Sequence, residues 1–408
     1  MNAPESRNSL ALFGGLPLRR RPFAPWPSYA EDEIEAATAV LRSGKVNQWT
    51  GTHVTSFETE YAASLNREYA VAVANGTVAL ELALIVLGIG PGDEVIVPAR
   101  TFVATASCVA LRGATPIVAD VDEATGGLSA ATVQAALTPR TRAVIPVHLG
   151  GWPCDMDPLR ALADQHGFAI IEDCAQAHGA TYRGRPVGSL GHLAAFSFCQ
   201  DKIITTGGEG GLLVMDREDW WSRAWSYKDH GKDFEAVQRP EPITGFRWVH
   251  HSFGTNWRMT EFQAAIGRLQ LAKLDAWVGK RRMLAARLKE QLSGVPALTI
   301  PRPGPDAEPS FYRFYARLDV RRLREGWDQQ KVIDAIAAEG IPCQAGSCSE
   351  IYREQAFQKA GLGPSAPLPV ARRLGEESLM FYVHPTLTVQ DMDDTAAAVR
   401  KVLAAAAG

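Results

Sequence analysis

The chain has no surplus of positive charge. Its 42 Lys and Arg against 45 Asp and Glu give a formal net charge of −3 over 408 residues. A surface that follows nucleic acid needs a basic stripe, so this balance argues against nucleic acid as a partner. Cysteine is scarce: six residues, Cys108, Cys154, Cys174, Cys199, Cys343 and Cys348, stand apart without zinc-like pairing. That points away from a disulfide framework and towards free thiols in a reducing compartment. No apolar run is long enough to span a bilayer, and the opening MNAPESRNSLALFGG lacks the sustained apolar core of a signal peptide. Neither a Walker loop nor a GxGxxG fingerprint is present, which weakens nucleotide-binding readings. Repeats are lacking too. What remains is an expectation of a cytoplasmic, enzyme-sized protein, 46% hydrophobic and 21% charged.

What the chain does have is a rhythm. After a proline-dotted start with one helical segment at Glu31 to Ser43, closed by Gly44, and another at Val54 to Leu65, short apolar runs alternate with helical patterns. The predicted strands are Tyr69 to Val73, Glu94 to Val97, Pro116 to Asp120, Ala143 to Val147 and Phe168 to Asp173. Helices are expected between them at Val78 to Leu87, Phe102 to Leu111, Ala130 to Leu137 and Pro158 to His166. Such alternation predicts an α/β fold, a mainly parallel sheet with helices on both faces. Ligands of such sheets sit beyond the carboxyl ends of the strands. One rim therefore gathers Asn75 to Thr77, Pro98 to Phe102, His148, Asp173 to Gln176 and the loop around Lys202. From about residue 257 the texture changes. Two long helices are expected, Arg258 to Leu274 and Trp277 to Leu292, then a strand within Phe311 to Val320 and helices at Gln330 to Glu339, Tyr352 to Ala360 and Asp391 to Ala406. The expected division is 1–270 for a large domain and 271–408 for a smaller α+β one.

The densest stretch is LAAFSFCQDKIITTGGEGGLLVMD, Leu193 to Asp216. Two buried strands bracket Lys202 and a glycine run, Gly207-Gly208-Glu209-Gly210-Gly211. Partial desolvation there favours the neutral amine, the form that attacks a carbonyl. Taken alone, Lys202 reads more simply as a surface lysine on a hairpin. Asn75-Gly76-Thr77 before a helix offers free N–H groups to an anion, or is merely a capped helix. Asp173, at the end of the strand FAII-Glu172, suits a buried cation such as a protonated pyridine nitrogen, and equally a structural ion pair. Gln176 and Ser197 could face the same cavity; solvent exposure and packing polarity account for them as simply. Phe102 could stack on a flat ring, although an isolated phenylalanine is usually core. His148 on the same rim reads first as a satisfied structural histidine. His250-His251 and Cys343/Cys348 lack the companion ligands of a closed metal site, so no metal is expected. Together the first group supplies the parts that hold pyridoxal 5′-phosphate (PLP): anion cradle, ring-stacking aromatic, aspartate and lysine.

Over nearly its whole length the chain resembles the DegT/StrS family of PLP-dependent sugar aminotransferases. The matching segments are ANGTVALELAL (74–84), VIVPARTFVATA (95–106), IIEDCAQAHGA (170–180), SFCQDKIITTGGEGG (197–211) and GTNWRMTEFQAAIG (254–267). The resemblance implies a fold-type I PLP-dependent transferase, with a mainly parallel seven-stranded sheet in the large domain. It implies that Lys202 carries PLP and is catalytic, Asp173 pairs with the ring nitrogen, Gln176 lies near the ring oxygen and Phe102 stacks on the ring. Gly76, Thr77, Val78 and Ser197 would hold the phosphate. Asn256, with Arg258 beside it, would reach the cofactor of a neighbouring subunit, making a homodimer with shared sites. The implied reaction is ping-pong transamination from L-glutamate to a keto group on a sugar, nucleotide-linked, for polysaccharide or secondary-metabolite synthesis.

Cys199-Gln200-Asp201 departs from the histidine or phenylalanine followed by proline that many members carry before the lysine, and there is an extra glycine before Glu209. The glutamine-bearing loop resembles relatives acting on keto-inositols (scyllo-inosose-type) or making 3-amino-5-hydroxybenzoate. GSCSEIYREQAF (346–357) also departs from the commonest small-domain sequence. Retention of the lysine argues against the family's dehydratase branch. A non-catalytic regulator that keeps the fold is a third reading, without a DNA-binding appendage to support it.

Overall fold

The computed structural model describes residues 9–239 and 247–408; residues 1–8 of the expected irregular start lie outside it. Seven strands form the central sheet: β1 (Tyr69–Val73), β2 (Glu94–Pro98), β3 (Thr115–Ala119), β4 (Thr141–Val144), β5 (Ala169–Asp173), β6 (Leu193–Ser197) and β7 (Gly211–Met215). Their spatial order is β1-β7-β6-β5-β4-β2-β3. Neighbours from β6 through β5, β4 and β2 to β3 run parallel, while β7 is antiparallel to both β1 and β6. β2, β6 and β7 are buried at every position. Continuous apolar runs such as VIVP and LLVM follow from helices covering both faces. Two core clusters lie on the two faces, one around Phe57, Tyr61, Phe196 and Phe198, the other around Leu82, Val97, Ile171 and Leu213.

This topology places the site. From β2 the chain steps one way to β3 and the other way through β4 to β6, so the strand order reverses between β2 and β4. In sheets of this kind the carboxyl ends at such a reversal are where loops and backbone dipoles can surround a ligand. The expected rim loops all lie at that end.

Two expectations change. The two long helices are one, Glu261–Leu292, of 32 residues. Between Leu274 and Trp277 stand only Asp275 and Ala276, neither of which breaks a helix. The fourth strand ends at Val144 rather than Val147, because Pro146 has no N–H to give the ladder; Val147 keeps a single bridge to Asp173. A helix at Pro369–Glu377, with proline in its first turn, and strand Ser378–Phe381 escaped the periodicity reading. That strand joins Phe314–Leu318 and Leu298–Thr299 in a second, three-stranded sheet. A third core cluster forms around it from Leu284, Leu288 and Leu292 of the long helix, Val399, Leu403 and the N-terminal Leu10. Among the described residues no helix is long and apolar enough to cross a membrane.

Candidate active site

The site begins with a close approach. A Cβ on Gly76 would lie 2.6 Å from Ser197 Cβ, so only glycine lets the end of β6 lie against the start of helix Gly76–Val86. At Gly211 a Cβ would collide with the Asn75 carbonyl. Asn75 caps the helix, its Oδ1 accepting from Val78 N at 3.0 Å. That occupies Val78's N–H and leaves the helix start, with Gly76, Thr77 and Ser197 around it, as a small anion-receptive cradle.

Asp173 ends β5 opposite Ala195 of the neighbouring strand β6, two residues before Ser197. Its carboxylate is 5% exposed and accepts from Thr105 Oγ1 at 2.9 Å and Ala175 N at 3.1 Å. Burial pushes its proton affinity above the ordinary aspartate range, against the pull of those donors and of Lys202 and His148. A cation brought against this group would relieve the cost of its burial. Phe102, in the loop after β2, is 66% exposed despite its apolar ring. Gln176 is spoken for on one side, its Oε1 accepting from Gly150 N at 2.7 Å.

Lys202 lies on the loop between β6 and β7, its side chain 16% exposed. The loop is internally tied: Phe198 N donates to Gly210 O at 2.8 Å, and Thr205 Oγ1 to Phe198 O at 2.9 Å. Gly207 and Gly208 turn it with φ of +85° and +127°. Trp26 Nε1 donates to the Lys202 carbonyl at 2.9 Å. The ammonium stands 5.0 Å from the Tyr312 ring centre and 3.8 Å from Asp201 Oδ1.

His148 is on the rim but engaged below it: fully buried, Nε2 donating to Glu172 Oε2 at 3.1 Å, Nδ1 accepting from Cys154 N at 3.0 Å. Asn256 is exposed and bridged to Asp229, on a segment that runs beside the cradle: Ala74 N donates to the carbonyl of the next residue, Trp257, at 2.8 Å. Arg258 donates from Nη1 to the buried Asp229 at 2.6 Å and pairs as a bridge with Val73 beside the cradle.

Several participants were invisible in sequence. Thr105 sits in an apolar helix, where a hydroxyl is a weak signal that a carboxylate lies opposite. His178 spans the site's floor, donating from Nε2 to the Ser197 carbonyl at 2.9 Å and accepting at Nδ1 from Tyr61 OH at 2.7 Å. Burial lowers its pKa to about 3, so the ring is neutral. Tyr312 and Arg313 come from more than a hundred residues away.

Cradle, exposed ring, buried carboxylate and lysine are what PLP would require, and the glycine at 76 and the poorly matched charge of Asp173 fit such a guest. Comparison with known proteins agrees. The sequence pattern of the DegT/DnrJ/EryC1/StrS aminotransferase family matches residues 27–400. The chain is 39% identical to the dTDP-3-amino-3,4,6-trideoxy-alpha-D-glucose transaminase of Streptomyces venezuelae, over 87% of this chain and 88% of that one. It is 36% identical to a putative L-glutamine:3-amino-2,3-dideoxy-scyllo-inosose aminotransferase of Streptomyces kanamyceticus, over 96% of each. A solved aminotransferase from Psychrobacter cryohalolentis superposes with a TM-score of 0.92 at 48% identity, covering 94% of this chain and 99% of that one. Related solved structures include PLP and PMP forms. The chain belongs to the DegT/DnrJ/EryC1/StrS aminotransferase family, a PLP-dependent transaminase of fold-type I.

Proposed function

We propose that this aminotransferase moves an amino group from L-glutamate to the keto group of a nucleotide-linked sugar, for amino-sugar synthesis. The observation that carries the reading is the buried carboxylate of Asp173 at the end of one strand, Lys202 on the loop after the neighbouring strand, and the cradle where Gly76 lies against Ser197. When bound, the cofactor supplies an aldehyde for the amino group and a ring that withdraws electrons. The chain does the rest. Asp173 holds a proton on the ring nitrogen, Phe102 covers the ring, and Gly76, Thr77 and Ser197 receive the phosphate; the Val78 N–H, expected to share in this, is already taken by Asn75 Oδ1. Gln176 lies towards the ring oxygen, fixed by Gly150. Lys202 Nζ carries the cofactor and, once released, takes a proton from the substrate carbon and returns it.

Asn256 and Arg258 act, on this reading, in the partner subunit's site, so the working enzyme is a homodimer. Support comes from the segment that bears them: Asn256 is exposed, Trp248 and Phe253 are 84% and 98% exposed, and buried Asp229 anchors Arg258. The division expected at 270 falls further along the long helix on this reading, between 278 and 284: Leu274 and Val278 pack with the first cluster and Leu284, Leu288 and Leu292 with the third. The cytoplasm is its expected compartment, in keeping with six unpaired cysteines.

A second reading keeps the chemistry and changes the acceptor to a keto-inositol, or makes the enzyme a 3-amino-5-hydroxybenzoate synthase. Gln200 on the lysine loop and the inosose aminotransferase relative favour it. Absorbance of the PLP-loaded protein before and after L-glutamate tests the donor. A visible band that fades supports it; a band that ignores glutamate but responds to glutamine replaces the donor. No band removes Lys202 from its role. Nucleotide-keto sugars assayed against keto-inositols then separate the two acceptors.

A further inference from the structure

We propose that Asp201 is a positioning residue for Lys202, itself held across the domain boundary by Tyr312 and Arg313. The proposal rests on the reading that Lys202 carries the cofactor. Asp201 divides its carboxylate. Oδ1 lies 3.8 Å from Lys202 Nζ, while Oδ2 accepts from the Tyr312 hydroxyl and from Arg313 Nη2, the latter at 3.0 Å. A side chain 43% exposed on a loop would ordinarily sample several rotamers. Two donors on one oxygen, one of them a guanidinium, restrict it and leave the other oxygen for the lysine.

The donors are themselves rigid. Tyr312 is 6% exposed, and its ring is the one that Lys202 Nζ faces at 5.0 Å. The Arg313 guanidinium lies 4.0 Å from the Tyr312 ring centre and 4.8 Å from that of Tyr382. Fully buried Arg281 donates from Nη1 to the carbonyls of Phe311 and Tyr312 at 3.3 and 3.4 Å, fixing the backbone from beneath.

The same short segment docks on the turn after β4. Ser310 N donates to Gly151 O at 2.9 Å, and Arg313 N to Gly150 O at 3.3 Å. Gly150 and Gly151 have φ of +65° and +85°, and a Cβ on either would lie 2.9 Å from the Tyr315 ring or 2.6 Å from Ser310 Oγ respectively. Gly150 N is also the donor to Gln176 Oε1. One strap, 310–315, thus sets Gln176 on one side of the pocket and Asp201 on the other. Lys202 is thereby held at three points: its carbonyl by Trp26, its ammonium by Asp201 and the Tyr312 ring.

The function follows from geometry. An amine that must collect a proton at one carbon and return it at another gains from a restricted arc, and small misplacements are costly. Asp201 and the Tyr312 ring confine that arc, and with it the direction from which Nζ would present the cofactor's ring.

The test uses the PLP-loaded enzyme with Asp201→Asn, which keeps the shape and removes the charge, and Tyr312→Phe, which removes only the hydroxyl. Asp201→Asn should lower kcat about tenfold with the donor KM within about twofold. The visible circular dichroism per bound cofactor, which reports how the lysine-linked ring is tilted, should fall in amplitude. Tyr312→Phe should move both readouts the same way by less. Wild-type kcat and wild-type visible dichroism in Asp201→Asn would overturn the proposal, whatever happens to its melting temperature. Borohydride reduction and peptide mass of the wild-type enzyme keep the two readings separate: absence of label at Lys202 sinks the assignment of the lysine, and this proposal with it.

Discussion

Two adjacent carboxylates, Glu172 and Asp173, stand on opposite faces of β5 and have opposite fates. Glu172 faces away from the pocket, 0% exposed, and accepts from Gly188 N at 3.0 Å, Leu190 N at 2.8 Å, Gly191 N at 2.6 Å and His148 Nε2 at 3.1 Å. Burial pushes its proton affinity up, but His148 and those backbone donors outweigh it and hold the group ionised below the ordinary glutamate range. Asp173 has fewer donors, and burial prevails. Two lysines repeat the contrast. Lys228 is 0% exposed and donates to Glu58 Oε1 at 3.0 Å, Gln48 Oε1 at 3.3 Å and Ala72 O at 3.3 Å. Lys202, partly open, has its carboxylate at 3.8 Å. A buried charge whose partners are all protein is scaffold. One whose partners are incomplete is positioned for a guest.

The comparison breaks most readily at the lysines. Lys202→Ala should cost at least about 10³-fold in transamination and abolish covalent PLP, with the melting curve little changed. Lys228→Met should do the reverse, lowering unfolding free energy by about 3 kcal/mol because Glu58 loses its partner, while folded enzyme keeps its visible spectrum. Denaturant titration and absorbance separate the two.

At the carboxylates, Glu172→Gln should destabilise by about 3 kcal/mol, since the carboxamide offers a single acceptor oxygen and turns its own NH2 group against the remaining donors. Asp173→Asn should lower kcat/KM about 10²-fold yet leave stability unchanged or higher, because a poorly compensated buried charge is gone. Equal loss of stability in both variants would erase the distinction between the two faces.

The smallest effect is one of pH. His178 and His384 are held neutral, chiefly by burial, with pKa values of about 3 against an ordinary 6.5. The unfolded chain binds these two protons below about pH 6.5, whereas the folded chain does so only near 3. Their contribution to stability is therefore present above 6.5 and lost as pH falls through that window. Asp173, raised, contributes in the opposite sense. His384→Phe, which retains a flat ring against Trp26, should make the melting temperature less steeply dependent on pH between 6.5 and 4.

Periodicity and turn residues made the first half of the fold legible. Glu31–Ser43, Tyr69–Val73 and Gly211–Met215 lie where alternating patterns, caps and glycines indicate them. Pattern alone misjudged the long helix, because a change in burial along one helix looks like an interruption when its partners are unknown. Its first half packs under the large sheet and its second half under the small one. The short strand Ser378–Phe381 was missed because its four residues carry little periodic signal before tertiary pairing.

The candidate site was legible to the extent that its parts are local motifs: a capped helix start at Asn75, a carboxylate closing a strand, a lysine before a glycine run. Those residue types and spacings, with the family resemblance they compose, determined the cofactor and the class of reaction. Tertiary structure alone decided which of Glu172 and Asp173 is short of partners, which groups satisfy His148, and that Tyr312 and Arg313 reach Asp201. The reason is physical: a local motif specifies the groups a chain can offer. Burial and long-range hydrogen bonding determine which of those groups remain incompletely satisfied, and these are fixed only when segments distant in sequence pack together.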